Sequence, residues 1–158
     1  LGRLLADPSG IDWLQRFSVI WVGGAALPAV MADQARQAGI RLAPCYGATE
    51  TAAMVAALPP ERFLHGDASC GAPLIDVELR LAADGALEVK TGRLAIACWR
   101  PEQPQLLQGL SDASGWWRSG DLAVLEADLR ILGRLDGAVL SGGETVFPEH
   151  LEALFNKL

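Results

Sequence analysis

The sequence predicts an α/β unit followed by a small antiparallel β subdomain, on the strength of three observations. Residues 18–22 are a continuous apolar run, which is typical of a strand covered on both faces. A helical pattern over residues 28–39 begins with a proline and ends with a glycine, and residues 40–45 form a second apolar run. Further along the chain, apolar and polar residues alternate, which is the period of a strand with one solvated face.

The second predicted strand, residues 40–45, ends at Tyr46-Gly47. Two parallel strands joined by a helix place their following loops side by side at the carboxyl ends of the strands. Here those loops are residues 23–27 and 46–51. Open α/β sheets bind their ligands at such an edge, so these two loops are the first place to look for a site.

The antiparallel part begins with the alternating segment at residues 75–81. Asp84-Gly85 is a hairpin signal, and residues 87–90 return as the partner strand. Further strands are predicted over residues 94–98, 122–126 and 129–132, the last two joined by a tight turn at Ala127-Asp128. Together these strands form a small antiparallel barrel or sheet that packs on the α/β part.

Composition limits the classes of function. The chain has 158 residues, of which 51% are hydrophobic and 20% charged, as in a globular protein. Its net charge of −6 and its lack of clustered Lys and Arg argue against a nucleic-acid partner. Its apolar runs are too short to span a membrane and no signal peptide is visible, so we expect a cytoplasmic protein. Cys45, Cys70 and Cys98 have no metal-binding spacing and are interpreted as buried, reduced thiols.

The two ends of the sequence predict a piece of a longer protein. The first residue is Leu1 rather than Met, and the chain stops within a helical pattern that begins at Pro148. That last helix carries an apolar face with little of the predicted core left to cover it.

The run from Tyr46 to Glu50 carries the residue types that a nucleotide site needs. A glycine such as Gly47, in a turn between a strand and a helix, lets the backbone approach a phosphate, and Thr49 offers a hydroxyl and an N–H. Glu50 is a hard oxygen ligand suited to Mg²⁺, while Tyr46 offers a flat face for stacking on adenine. The simpler interpretation of the same run is a strand end, a turn and a helix cap.

Two later residues could complete such a site. Asp121 follows Arg118-Ser119-Gly120 at the start of a predicted strand, where a carboxylate can accept hydrogen bonds from hydroxyl groups. Arg134 is a fixed cation that can reach a ribose or a phosphate. Taken alone, Asp121 would more often be a solvated turn residue.

Three runs in this order, residues 46–50, 118–121 and 133–136, resemble the nucleotide-handling motifs of the acyl-adenylate-forming superfamily. That superfamily contains acyl-CoA ligases, nonribosomal adenylation domains and beetle luciferases. The resemblance implies that the chain is the C-terminal part of the large domain of an adenylate-forming enzyme. It also implies that Asp121 binds both ribose hydroxyls; Ser119 stands where the family usually has Thr. The resemblance further implies that one wall of the adenine pocket is formed by the loop Gly23, Gly24, Ala25 and Ala26.

The same resemblance extends to the end of the chain. Asp136 matches the position about which the small C-terminal domain of these enzymes rotates. The loop Ser141, Gly142, Gly143 and Glu144 resembles the CoA-ligase branch, in which it helps to line the pantetheine tunnel; a generic flexible linker is the alternative. The predicted organisation is residues 1–72 for the α/β part, 73–133 for the β subdomain, 134–138 for the hinge and 139–158 for the start of the C-terminal domain.

Within the superfamily the chain most resembles the o-succinylbenzoate–CoA ligases of menaquinone and phylloquinone synthesis. That resemblance implies an AMP-forming ligase that takes a small carboxylic acid, ATP and CoA, with Mg²⁺ bound by Glu50. Thr49 and Glu50 are the predicted catalytic residues. The predicted nucleotide-binding residues are Gly23, Gly24, Ala25, Ala26, Tyr46, Gly47, Thr49, Asp121 and Arg134. Another acyl- or aryl-CoA ligase, or a non-catalytic nucleotide-binding module, are the alternatives.

Two elements of such an enzyme are not found in the sequence. No Ser/Thr/Gly-rich phosphate loop followed by a lysine is present, and neither Lys90 nor Lys157 stands in the context of the family's catalytic lysine. We therefore expect the 158 residues alone to lack ligase activity and to bind ATP in roughly the millimolar range at best. The sequence leaves open whether the protein forms a homo-oligomer.

Overall fold

The computed structural model describes residues 1–99, 101–137, 139–141 and 144–146, the last two ranges as backbone only. Two short helices, α1 (Gly2–Leu5) and α2 (Pro8–Leu14), open the chain. The side chain of Asp7 caps α2 by accepting a hydrogen bond from the N–H of Ser9 at 3.3 Å. Neither helix was predicted, because segments this short show little periodicity.

The predicted strand–helix–strand unit is confirmed. Strand β1 (Ile20–Val22) leads into helix α3 (Ala29–Gln37), and strand β2 (Leu42–Ala48) then pairs with β1 in parallel, with Ile20 opposite Leu42. The prediction that β1 is covered on both faces is wrong. Ile20 and Val22 are half-buried on one face of β1, whereas Trp21 on the other face leaves 52% of its surface exposed, so the described residues cover only one face.

Strand β2 continues through Tyr46-Gly47 instead of ending there, which corrects the sequence prediction. The reason is an unpredicted antiparallel partner, β3 (Ala53–Ala57), which pairs with β2 across an irregularity between Tyr46 and Gly47. A Cβ atom on Gly47 would lie 2.3 Å from the carbonyl oxygen of Ala53, so this close pairing requires glycine. After helix α4 (Pro60–Leu64), strand β4 (Ala72–Pro73) completes a sheet of order β1-β2-β3-β4.

The second sheet is antiparallel, as predicted, with the order β10-β9-β6-β5. Its strands are β5 (Val77–Leu81), β6 (Ala86–Thr91), β9 (Trp117–Leu125) and β10 (Leu129–Arg134). The hairpin at Asp84-Gly85 is confirmed, with Gly85 at φ +80°. The alternating segment predicted over residues 75–81 is a strand only from Val77, since Ile75 precedes β5 and is fully exposed.

The strand predicted over residues 94–98 is only β7 (Ala97–Cys98), which pairs with β8 (Gln108–Gly109). A 3-10 turn (Leu135–Gly137) follows β10, and β11 (Val139–Ser141) then pairs with β12 (Glu144–Val146). The helix predicted from Pro148 lies outside the described residues. None of the described helices has the length and apolar character that crossing a membrane requires.

Two hydrophobic clusters hold the fold together. The first packs α1 to α4 against β1 and β2 around Ile40, Leu42 and Phe63, all three fully buried. The second joins the two sheets, because Val55 of β3 packs with Leu87 of β6 and with residues of β9 and β10. The β subdomain therefore packs on the α/β part, while the boundary proposed between residues 72 and 73 stays a prediction.

Gly39 ends α3 as the sequence predicts, in the left-handed conformation at φ +65°. Its N–H donates to the carbonyl of Arg36 and the N–H of Ile40 donates to that of Ala35, the hydrogen-bond pair of a Schellman motif. Gly39→Ala should therefore lower the free energy of unfolding by about 1 kcal/mol, because a Cβ is disfavoured at that φ. Urea unfolding measures the change.

Gly109→Ala is the matched control, since Gly109 also has open space around it but does not adopt a positive φ. We expect the control to stay within about 0.5 kcal/mol of the wild type. Equal losses in both variants would contradict the argument from backbone conformation.

Candidate functional site

The loops after β1 and β2 lie side by side, as predicted. A Cβ atom on Gly23 would lie 2.9 Å from Cys45 Sγ and 3.1 Å from the Cys45 carbonyl oxygen, so only glycine fits without displacing β2. Gly24 adopts φ +85° and turns the chain away from the sheet. The small residues of this loop thus bring its backbone against the end of β2.

An open groove of about 810 Å³ lies between these loops. Five of the predicted site residues line it: Gly23, Gly24, Gly47, Thr49 and Glu50. The remaining lining residues are Cys45, Ala48, Ala52, Ala53 and Met54. Ala25 and Ala26 are exposed on the same loop but do not line the groove. One wall is therefore mostly backbone and small side chains, and the other carries a hydroxyl and a carboxylate.

Thr49 and Glu50 stand on a 3-10 turn (Thr49–Thr51) between two antiparallel strands, and not on a turn between a strand and a helix as predicted. The fully buried Thr51 ties this turn together. Its hydroxyl oxygen accepts from the N–H of Ala48 at 3.0 Å and lies 2.7 Å from the carbonyl oxygen of Ala53, to which it can donate. This supporting role of Thr51 was not predicted, because it depends on contacts that form only in the folded turn.

A second residue missed from the sequence is Arg93, in the loop after β6. Its Nη1 donates to the carbonyl of Thr51 and its Nη2 to the carbonyl of Met54, both at 3.2 Å. Nε pairs with Asp76 Oδ2 at 2.7 Å. A single arginine whose partners are distant backbone carbonyls leaves no pattern in the sequence that could have revealed it.

Tyr46 and Asp121 meet although 75 positions separate them, and neither lines the groove. Asp121 lies within β9 and not at the start of a strand as predicted. The Tyr46 hydroxyl donates to Asp121 Oδ2 at 2.5 Å, and the side chain of Asp121 is 14% exposed. Burial first, and then this hydrogen bond, raise the pKa of Tyr46 above its ordinary value, so the phenol stays protonated. Tyr46 also packs against the second hydrophobic cluster. Its stacking on adenine stays a prediction.

Arg134 links this pair to Asp136. Its Nη1 lies 3.7 Å from Asp121 Oδ1, while Nε and Nη2 form a two-point pair with Asp136 at 2.9 and 2.7 Å. The hydrogen bond from Arg134 is the largest influence on Asp136 and lowers the pKa of that carboxyl group. A Cβ atom on Gly120 would lie 2.8 Å from Arg134 Nη2, so Gly120 makes room for the guanidinium. The hinge role of Asp136 stays a prediction.

The lining of the groove offers one carboxylate, Glu50, as a possible metal ligand. Among the described residues, no group of three or more His, Cys, Asp or Glu could hold a metal ion by itself. Mg²⁺ is commonly held by one or two carboxylates together with substrate phosphates and water, so Glu50 alone is compatible with a metal that arrives with ATP. The described lining contains no Lys or Arg, so it offers little to neutralise the phosphates.

The predicted CoA loop is described only in part. Ser141 and Glu144 face each other as the last pair of the β11–β12 ladder, so the described residues on either side of Gly142 and Gly143 form a hairpin. Gly142 and Gly143 themselves lie outside the described residues. Of the thiols, Cys45 and Cys70 are half-buried and have their pKa raised by burial, whereas Cys98 is exposed, contrary to the prediction that all three are buried.

Comparison with known proteins finds a family model and relatives that match this chain. A family model described as AMP-binding enzyme matches residues 3–97. A 2-succinylbenzoate–CoA ligase of Geobacillus kaustophilus is 32% identical over 98% of this chain and 33% of its own length. The chain thus spans about a third of the length of the curated relatives it matches.

Two solved structures have the same fold over nearly the whole chain. The o-succinylbenzoate CoA synthetase of Bacillus subtilis in complex with the acyl-adenylate intermediate OSB-AMP is 26% identical, with a TM-score of 0.79, over 98% of this chain and 34% of that one. The same enzyme in complex with ATP and a magnesium ion gives a TM-score of 0.76 at 26% identity, over 96% and 34% of the two chains.

Proposed function

The chain belongs to the AMP-binding enzyme family, and from that premise we propose that its parent protein is an AMP-forming acid–CoA ligase acting on o-succinylbenzoate. The observation that carries the proposal is the groove at the ends of β1 and β2, where Thr49 and Glu50 face the backbone wall at Gly23 and Gly24. Similarity to 2-succinylbenzoate–CoA ligases supports the choice of acid and a place in menaquinone or phylloquinone synthesis.

The proposed reaction has two steps. In the first, an oxygen of the acid's carboxylate attacks the α-phosphorus of ATP, and the bond to pyrophosphate breaks to leave an acyl-adenylate. In the second, the thiol of CoA loses its proton and attacks the acyl carbon, and AMP leaves. Both steps depend on alignment of the reacting groups and on stabilising negative charge.

The residues of this chain would serve the nucleotide side of these steps. Glu50 would hold Mg²⁺, which neutralises phosphate charge when bound, and the Thr49 hydroxyl would donate to a phosphate oxygen. Asp121 would accept the two ribose hydroxyls, while the backbone around Gly24 would lie against the adenine. ATP and CoA are cytoplasmic metabolites, so a cytoplasmic location is part of the proposal.

Tyr46→Phe tests whether the phenol orients Asp121. The variant keeps the aromatic ring and removes the hydroxyl that lies 2.5 Å from Asp121 Oδ2. We expect the KM for ATP to rise about fivefold, because one hydrogen bond contributes about 1 kcal/mol, with the KM for the acid unchanged. Steady-state kinetics of the parent protein measure both constants. An unchanged KM for ATP would mean that Asp121 needs no support from Tyr46.

Exchange of labelled pyrophosphate into ATP tests the proposed function. The whole gene product that contains this chain is assayed with o-succinylbenzoate, benzoate, anthranilate and hexanoate, each with Mg²⁺ and with a chelator. We expect Mg²⁺-dependent exchange that is fastest with o-succinylbenzoate, followed by formation of the CoA thioester. Faster exchange with another acid would make the protein a different acyl- or aryl-CoA ligase. ATP binding without exchange for any acid would favour the non-catalytic nucleotide-binding module.

A further inference from the structure

We propose that Arg93 is a positioning residue that fixes the turn at residues 49–54, and through it the places of Thr49 and Glu50 in the groove. The inference rests on the proposed function for its catalytic consequence. Arg93 does not line the groove itself, so it acts only through the turn that it holds.

The guanidinium of Arg93 bridges the two ends of a conformationally unfavourable segment. Its two terminal nitrogens donate to the carbonyls of Thr51 and Met54, each at 3.2 Å. Between those carbonyls lies Ala52, the only described non-glycine residue with a positive φ, at +57°. A left-handed conformation persists where surrounding contacts impose it, and these two hydrogen bonds supply such contacts.

Asp76 in turn fixes the guanidinium. Its Oδ2 lies 2.7 Å from Nε and its Oδ1 lies 3.4 Å from Nη2, a two-point pair that sets the plane of the fork. The hydroxyl of Thr91 donates to the same carboxylate at 3.3 Å. Lysine has no planar fork, so it cannot reproduce two carbonyl contacts and this pair together.

The loop that carries Arg93 also holds Glu50 directly. The N–H of Ala95 donates to the carbonyl oxygen of Glu50 at 2.8 Å. The segment after β6 therefore contacts the turn at Glu50, at Thr51 and at Met54. Releasing the Arg93 contacts would leave the turn held by the Thr51 hydroxyl and by the hydrogen bond from Ala95 to Glu50. The carbonyls of Thr51 and Met54 on either side of Ala52 would then lose their side-chain donor, which would let the Glu50 carboxylate shift within the groove.

The expected signature is a loss in the chemical step with little loss in nucleotide binding. The hydrogen bonds and the ion pair of Arg93 in the described residues go to Thr51, Met54 and Asp76 and not to Tyr46 or Asp121, so the ribose side of the site should stay intact. A misplacement of about 1 Å can cost about 100-fold in rate. Arg93→Gln should therefore lower kcat for pyrophosphate exchange by about 10- to 100-fold and change the KM for ATP by less than about threefold.

The test compares Arg93→Gln and Arg93→Lys with Arg80→Gln in the whole gene product. Arg80 is the matched control, since it also pairs with a carboxylate, Glu88 at 2.6 Å, but it lies against Trp116 and away from the groove. We expect Arg80→Gln to keep kcat and Arg93→Lys to recover only part of the loss. A kcat within twofold of wild type in Arg93→Gln, or a KM for ATP that rises as much as kcat falls, would overturn the proposal.

Hydrogen exchange separates this inference from the proposed function. Amides of residues 48–54 should exchange faster in Arg93→Gln, while those of β6 and β9 should not change. The hydrogen-exchange measurement does not depend on enzymatic activity. If none of the four acids supports pyrophosphate exchange by the wild type, the proposed function fails, but the contact between Arg93 and the turn is still tested. Unchanged exchange over residues 48–54 would overturn the inference. If Arg93→Gln does not fold, Asp76→Asn is the second variant, because it keeps the arginine but weakens its two-point pair with residue 76. It should show the same loss of kcat and the same faster amide exchange, both smaller in magnitude.

Discussion

Glu50→Gln should keep the fold and slow the adenylation half-reaction by at least about 100-fold, the usual effect of losing a preorganised electrostatic group. Glutamine has nearly the shape of glutamate, and the hydrogen bond from Ala95 goes to the backbone carbonyl of residue 50. The variant can therefore form the same turn as the wild type. What the variant removes is the negative charge that would bind Mg²⁺ in the groove. Pyrophosphate exchange measured against Mg²⁺ concentration is the direct assay.

Glu78→Gln is the matched control for Glu50→Gln. Glu78 is exposed on β5 and pairs with Lys90 at 3.3 Å, remote from the groove. The control should exchange pyrophosphate at the wild-type rate, and Glu50→Gln should need more Mg²⁺ to reach its residual rate. Full exchange by Glu50→Gln at ordinary Mg²⁺ would remove Glu50 from the metal site.

The parts of the fold that depend on local signals could be predicted from the sequence. The parallel β1–α3–β2 unit follows from two apolar runs and a helical pattern that ends at Gly39. The β5–β6 hairpin follows from Asp84-Gly85, since that pair of residues suits a tight turn. These patterns also placed the two loops that form the groove next to each other.

Pairings between distant parts of the chain could not be predicted in the same way. Strand β2 was expected to end at Tyr46-Gly47, the usual effect of a glycine, but it continues because β3 pairs with it across an irregularity. The exposed Trp21 shows the same limit, because a continuous apolar run does not reveal which faces of a strand are covered.

The candidate site likewise has a part that local sequence patterns predict and a part that they do not. Thr49 and Glu50 could be placed at the groove from the sequence, because they follow the second strand of a predicted parallel pair. The roles of Asp121 and Arg134 stay predictions. The contacts that hold these residues could not be predicted, since Tyr46 reaches Asp121 across 75 positions and Arg93 reaches Thr51 across 42. Such supporting contacts depend on the folded geometry rather than on spacing.

Asp121→Ala should weaken the binding of ATP far more than the binding of the acid. If Asp121 accepts the two ribose hydroxyls, its loss removes hydrogen bonds to a charged group, about 2 kcal/mol, and raises the KM for ATP by about 30-fold. The variant also leaves the half-buried Tyr46 hydroxyl without its acceptor and leaves Arg134 paired with Asp136 alone. The KM values for ATP and for the acid, measured in the same assay, separate these effects from general damage.

Two further variants make the Asp121 result specific. Asp121→Asn keeps an oxygen that can accept from Tyr46 while removing the charge, so its KM for ATP should lie between those of wild type and Asp121→Ala. Asp33→Ala removes an exposed aspartate that pairs with Arg36 at 3.0 Å on α3, and it should change neither constant. If Asp121→Ala raised both KM values equally, the carboxylate would serve the fold around Tyr46 and Arg134 rather than the ribose.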